Sequence, residues 1–140
     1  MSRDWMNLYG GDSFAIKAAE HELKGAMAYL DCRIDSLNTP LMALIRYRGY
    51  AIIAQSFLPI DSSTIVYGTS DTGVTIHHSS PEIAEKIKLA AQMLNLKEHK
   101  VWNQSHTTCA IFHTAVDVEG HKGKDGQFYI LDTARVYPPA

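Results

Sequence analysis

Two strand-like runs occupy positions 41–47 and 50–58, and only Arg48 and Gly49 separate them. Both runs are rich in Ile, Leu, Tyr and Ala, and the second closes at Pro59. A link of two residues cannot return a strand to a parallel partner, because a parallel crossover takes a dozen residues or more. An antiparallel hairpin is therefore expected, and the rest of the fold must be arranged around it.

Helical periodicity appears on either side of this ribbon. Ala19, Leu23, Ala26, Met27 and Leu30 recur on one face and predict a helix over 14–30, with Glu20 and Lys24 as an i,i+4 pair on its other side. Gly25 costs that helix about 1 kcal/mol relative to Ala. Ser80-Pro81-Glu82 combines an N-cap, a proline at the first helical position and an acid near the positive end of the dipole. Ile83, Ile87, Ala90, Ala91 and Leu94 follow on one face, so a second helix is expected from 81 to about 96. Short strands are expected at 64–67 and 74–76, with a loop at 103–108. Val116 and Val118 alternate with Asp117 and Glu119, which predicts a half-buried strand over 116–120. Asp125-Gly126 signals a tight turn into a buried strand at 128–131. These elements add up to an α+β fold, with two main helices packed on a mostly antiparallel sheet of five to seven short strands.

The chain has 140 residues, close to the usual size of one domain, and we divide it into an N-terminal arm, 1–12, and a single domain, 13–140. Hydrophobic residues make up 46% and charged residues 20%, which excludes a disordered or collagen-like chain. Thirteen basic against fifteen acidic residues give a net charge of -2, the wrong balance for a polybasic phosphate binder. Cys32 and Cys109 lack CxxC spacing and are expected to be reduced and buried. The opening residues hold no apolar run of the signal-peptide kind, and the longest apolar stretches are too short to span a bilayer. A cytoplasmic protein without membrane insertion is expected.

Several of these turns carry a familiar signature. Tyr47-Arg48-Gly49-Tyr50 is followed by Ala54-Gln55-Ser56 and Leu58-Pro59. Val66-Tyr67-Gly68-Thr69-Ser70-Asp71-Thr72-Gly73 comes next, and 119–126 leads through Tyr129-Ile130-Leu131-Asp132 to Arg135 and Pro138-Pro139. With Gly10-Gly11-Asp12 and 21–25 ahead of them, these blocks resemble the Clu domain of the clustered mitochondria proteins, in its latter part or a compact version. The resemblance implies a non-enzymatic module that takes part in distributing mitochondria and in binding messenger RNAs for mitochondrial proteins. RNA and cytosolic proteins are the partners it implies.

Among candidate sites, Arg46, Tyr47, Arg48 and Tyr50 place cations and aromatics in one hairpin, the combination that single-stranded RNA requires, and Lys122 and Lys124 would widen the patch. An enzymatic alternative rests on a second likeness. Ala15-Ile16-Lys17 resembles the lysine strand of protein kinases, Glu20 or Glu22 would pair with that lysine, and Asp132 stands where such an enzyme holds Mg²⁺. No glycine-rich lid and no catalytic loop accompany them. A scaffold that binds proteins only is the third reading. His77 and His78 on a strand would point to opposite faces, and no metal-ligand spacing exists, so neither a metal site nor a cofactor is expected.

Overall fold

The computed structural model of the protein describes residues 11–138. The expected arm lies outside them except for Gly11 and Asp12, and Asp12 already opens helix α1 (Asp12–Asp31). Nine short strands and a second helix follow. They are β1 (Leu37–Asn38), β2 (Met42–Tyr47), β3 (Tyr50–Gln55), β4 (Ile65–Gly68), β5 (His77–His78), α2 (Pro81–Met93), β6 (His99–Trp102), β7 (Cys109–Phe112), β8 (Glu119–Lys122) and β9 (Phe128–Leu131). The α+β class stands. The sheet is divided, however: β1-β9-β8-β4-β5 form one five-stranded sheet, while β2-β3 and β6-β7 are separate two-stranded ribbons. Within the large sheet only β1 and β9 run parallel.

The start of α2 follows its sequence signature. The Ile83 amide donates to Ser80 Oγ at 3.4 Å, and Pro81 opens the helix. Its end comes at Met93, three residues short of expectation. Asn95 adopts a positive φ of 57°, its amide bonds to Gln92, and the Leu96 amide bonds back to the Ala91 carbonyl at 2.8 Å. That Schellman pattern satisfies the last carbonyls and turns Leu96 away from the helix.

Ile83 and Ile87 press on the sheet at Gly120, where an added Cβ would stand 2.9 Å from Ile83 Cδ1 and 2.9 Å from Tyr67 Cβ. On Tyr67 the ring of Phe112 stacks with centroids 4.5 Å apart, and the His113 amide donates to the Tyr67 hydroxyl at 3.0 Å. Tyr67, Ile83, Ile87, Phe112, Val118 and Ile130 are all buried, so the core lies among α2, the large sheet and the β6-β7 ribbon.

Two strand expectations need correction, and one ribbon was not foreseen. The segment 74–76 is not a strand; the pairing with β4 is made by His77–His78. The strand expected at 116–120 begins at Glu119, because Val116 and Val118 lie in the turn before it. Val118 still enters the core, with its carbonyl where a Cβ on Gly68 would have to stand. Val116 is exposed, so the alternation marked burial at Val118 alone and no extended pairing before Glu119. The β6-β7 ribbon carried no recognised signal, since only Val101 and Phe112 of its eight residues are buried. By contrast, β8 and β9 pair antiparallel across the turn at Asp125-Gly126, with Gly126 at φ 79°, as expected.

Gly25 has a packing role. A Cβ there would collide with the Thr133 carbonyl, so α1 crosses the end of β9 at backbone distance. Of the two cysteines, Cys32 is buried and its thiol pKa is raised by burial, whereas Cys109 is exposed, contrary to expectation.

Candidate functional site

The β2-β3 ribbon is built on a two-residue turn in which Arg48 and Gly49 have φ of 48° and 83°. Positive φ at both central residues defines a type I′ turn, whose twist matches the flanking strands. The register sets Tyr47 opposite Tyr50, so both rings leave the same face at the tip. They are 57% and 73% exposed, which excludes a core role for them. The Arg48 guanidinium lies 5.3 Å from the centre of the Tyr47 ring, a cation–π contact at an open surface.

The opposite face of the ribbon turns toward α1. Met42 and Leu44 are partly buried there, and Arg46 Nη2 reaches Glu20 Oε1 at 3.1 Å. Arg46 is thus on the other side from the tyrosines, with its charge already compensated. Lys124 Nζ pairs with Asp61 Oδ2 at 2.6 Å, and its amide donates to the Pro59 carbonyl, beyond the end of β3. Lys122 lies over the Phe128 ring at 5.8 Å. Of the six residues expected to form one patch, the structure gathers Tyr47, Arg48 and Tyr50 at the tip. The other three cations belong to contacts elsewhere.

The residues of the kinase-like reading fare differently. Lys17 is exposed on α1, so the segment that resembled a lysine strand is helical. Glu20 is engaged with Arg46, which also replaces the expected pair with Lys24; Lys24 instead covers the Tyr137 ring at 4.7 Å. Glu22 holds the turn after β9, accepting from the Thr133 amide at 3.0 Å and its hydroxyl at 3.1 Å. Asp132 follows β9 with φ 57° and has carboxylates around it rather than a lysine. Burial raises its pKa to about 6, with the charges of Glu119, Glu22 and Asp117 and a hydrogen bond to Glu119 adding to the effect.

This acidic junction was not anticipated. Glu119 Oε2 lies 3.0 Å from Nε2 of the buried His121, whose Nδ1 is 3.0 Å from Thr64 Oγ1, while Asp117 pairs with Arg135 at 3.2 Å. The hint in the sequence was Glu119-Gly-His121, whose two polar residues fall on one face of β8. Among the described residues, no group of three or more His, Cys, Asp or Glu side chains can hold a metal ion. No helix among them is long and apolar enough to cross a membrane.

The fold and its exposed features define an α+β domain that sets an aromatic, arginine-tipped hairpin beside a covered core. The family model described as CLU, "Clustered mitochondria", matches residues 2–140, and the chain belongs to that family. It is 32% identical to a clustered mitochondria protein homolog of Danio rerio, over 98% of this chain and 10% of that protein. It is 34% identical to the protein clueless of Drosophila mojavensis, over 98% of this chain and 9% of that protein. A homolog from Xenopus tropicalis is 32% identical, over 98% and 11% respectively. The chain therefore spans about a tenth of the length of these relatives. No solved structure matches it.

Proposed function

We propose that this chain is a Clu-type binding module that takes single-stranded RNA at the tip of the β2-β3 hairpin. The observation that carries the reading is the pair of exposed rings, Tyr47 and Tyr50, on one face with Arg48 beside them. Every base has a π-face, so adjacent open rings accept unstacked bases with little sequence preference. A guanidinium at their edge supplies the phosphate contact. Membership of the clustered mitochondria family supports the wider role: a cytoplasmic module that helps distribute mitochondria and binds messenger RNAs for mitochondrial proteins.

With Arg46 held by Glu20 and Lys124 by Asp61, the tip offers one uncompensated cation among the described residues. Binding should thus depend weakly on salt, with a log–log slope of about -0.7 for one phosphate contact. Stacking should dominate, so Tyr50→Ala is expected to cost about 1–3 kcal/mol at any salt concentration. Arg48→Ala should flatten the slope, while Arg46→Ala leaves it unchanged. A salt titration of binding to a short single-stranded RNA, run on all four proteins, checks the reading. Equal affinities and slopes throughout would remove the hairpin tip from consideration.

A further inference from the structure

The outer edge of β3 has no strand beside it and no backbone hydrogen-bond partner among the described residues. The pattern of the ladder identifies which groups it presents. The Ser56 amide donates to the Leu41 carbonyl at 2.9 Å, and bonded pairs alternate along an antiparallel ladder. Ala43–Ala54, Ile45–Ile52 and Tyr47–Tyr50 are thus the pairs bonded within the ribbon. Ala51, Ile53 and Gln55 must turn their N–H and C=O groups outward.

Proteins that stay monomeric usually blunt such an edge with lysine, proline or a bulge. Tyr50–Gln55 carries none of these: its six residues are uncharged, all are exposed, and they pair with β2 in unbroken register. We infer that β3 is a self-association edge, on which two copies of this chain pair antiparallel about a two-fold axis at Ile53.

The occupant is a second copy because the strand is complementary to itself. Outward-facing residues must oppose outward-facing residues, and centring the axis on Ile53 meets that rule. It sets Ile53 against the partner's Ile53, Ala51 against the partner's Gln55, and Ile52 against the partner's Ala54. Large residues then meet small ones beside a central Ile–Ile pair, and no charge opposes another. Phe57, wholly exposed two residues past β3, adds apolar surface toward the roughly 1,200 Å² that specific interfaces bury. The pairing extends the two-stranded ribbon to a sheet of four strands. The antiparallel arrangement points the two tips in opposite directions, so the inference stands independently of RNA binding.

Sedimentation equilibrium of the full chain, from micromolar to near-millimolar concentration, should show a monomer–dimer equilibrium that closes at two. Ile53→Lys sets two ammonium groups face to face and should weaken the dimer at least about tenfold, as should Ile53→Glu. An equimolar mixture of these two variants should restore the dimer. Ile53→Pro removes only an outward N–H, so it should abolish the dimer while circular dichroism stays native. The inference is overturned by a monomeric wild type across the range, by association beyond two, or by a dimer that survives both Ile53→Lys and Ile53→Pro.

Discussion

Isoleucine and tyrosine occupy the large sheet and the β2-β3 ribbon alike, with opposite results. Tyr67 and Ile130 are buried in the core, while Tyr50 and Ile52 stand in solvent. Both regions obey the same strand propensities, because propensity describes a residue that fits a pleated surface and says nothing of what covers it. The large sheet is covered because α2 and Phe112 lie on it. Among the described residues the ribbon meets α1 on one face, and its other face keeps Ile45, Ile52, Tyr47 and Tyr50 together in the open. This open apolar face is where the proposed binding falls. The division of labour is clear: the core sheet provides stability, and the ribbon displays side chains.

The sharpest way to break this contrast is to truncate an isoleucine in each region. Ile130→Ala should cost about 2–5 kcal/mol, since it opens a cavity in a packed core. Ile52→Ala, 47% exposed, should change stability by no more than about 0.5 kcal/mol. Urea denaturation of both variants checks the pair, and equal losses would mean the ribbon is as much a part of the core as β9 is.

A smaller effect tests the seam between the regions, where α1 passes the end of β9. Alanine in place of glycine inside a helix ordinarily gains about 1 kcal/mol. At Gly25 the added methyl meets the Thr133 carbonyl, so Gly25→Ala should instead destabilise by about 1–3 kcal/mol. The sign decides the matter: a stabilised variant in thermal melts would place α1 farther from β9.

The smallest effect concerns Asp132 at the same seam. Its pKa rises from the ordinary carboxylate value to about 6, so the folded chain holds a proton that the unfolded chain has lost. Stability contributed by that proton is fully present below about pH 4 and falls as pH rises toward 6, after which the loss is constant. Asp132→Asn should therefore be more stable than wild type at pH 7.5. Solvent around the residue limits the gain to about 0–1 kcal/mol. The gain should vanish near pH 4, and melting curves across that range would expose a variant whose difference does not depend on pH.

The local parts of this protein are legible in the order of its residues. The hairpin joined at Arg48-Gly49, the capped start at Ser80-Pro81 and the hairpin at Asp125-Gly126 are each specified by a few adjacent residues. Burial of Ile83, Ile87, Ala90 and Ala91 follows from spacing, because the helical period collects them on one face. Candidate site residues are legible by type alone, which is why Arg46 and Lys124 group with the tyrosines on the sequence and part from them in the fold.

What distance along the chain hides, only the tertiary structure decided. Glu20 neutralises Arg46 from another element, and Asp61 does the same for Lys124. Glu22 and Thr133 meet across more than a hundred residues, at a seam that also explains Gly25. The division of the strands into one sheet and two ribbons is likewise absent from local pattern, since two-residue strands such as β1 and β5 exist only because a partner is beside them. Turns and caps are set by the conformations of neighbouring bonds, so the sequence determines them directly. Charge pairing and strand partnership depend on which distant surfaces packing brings within a few ångströms.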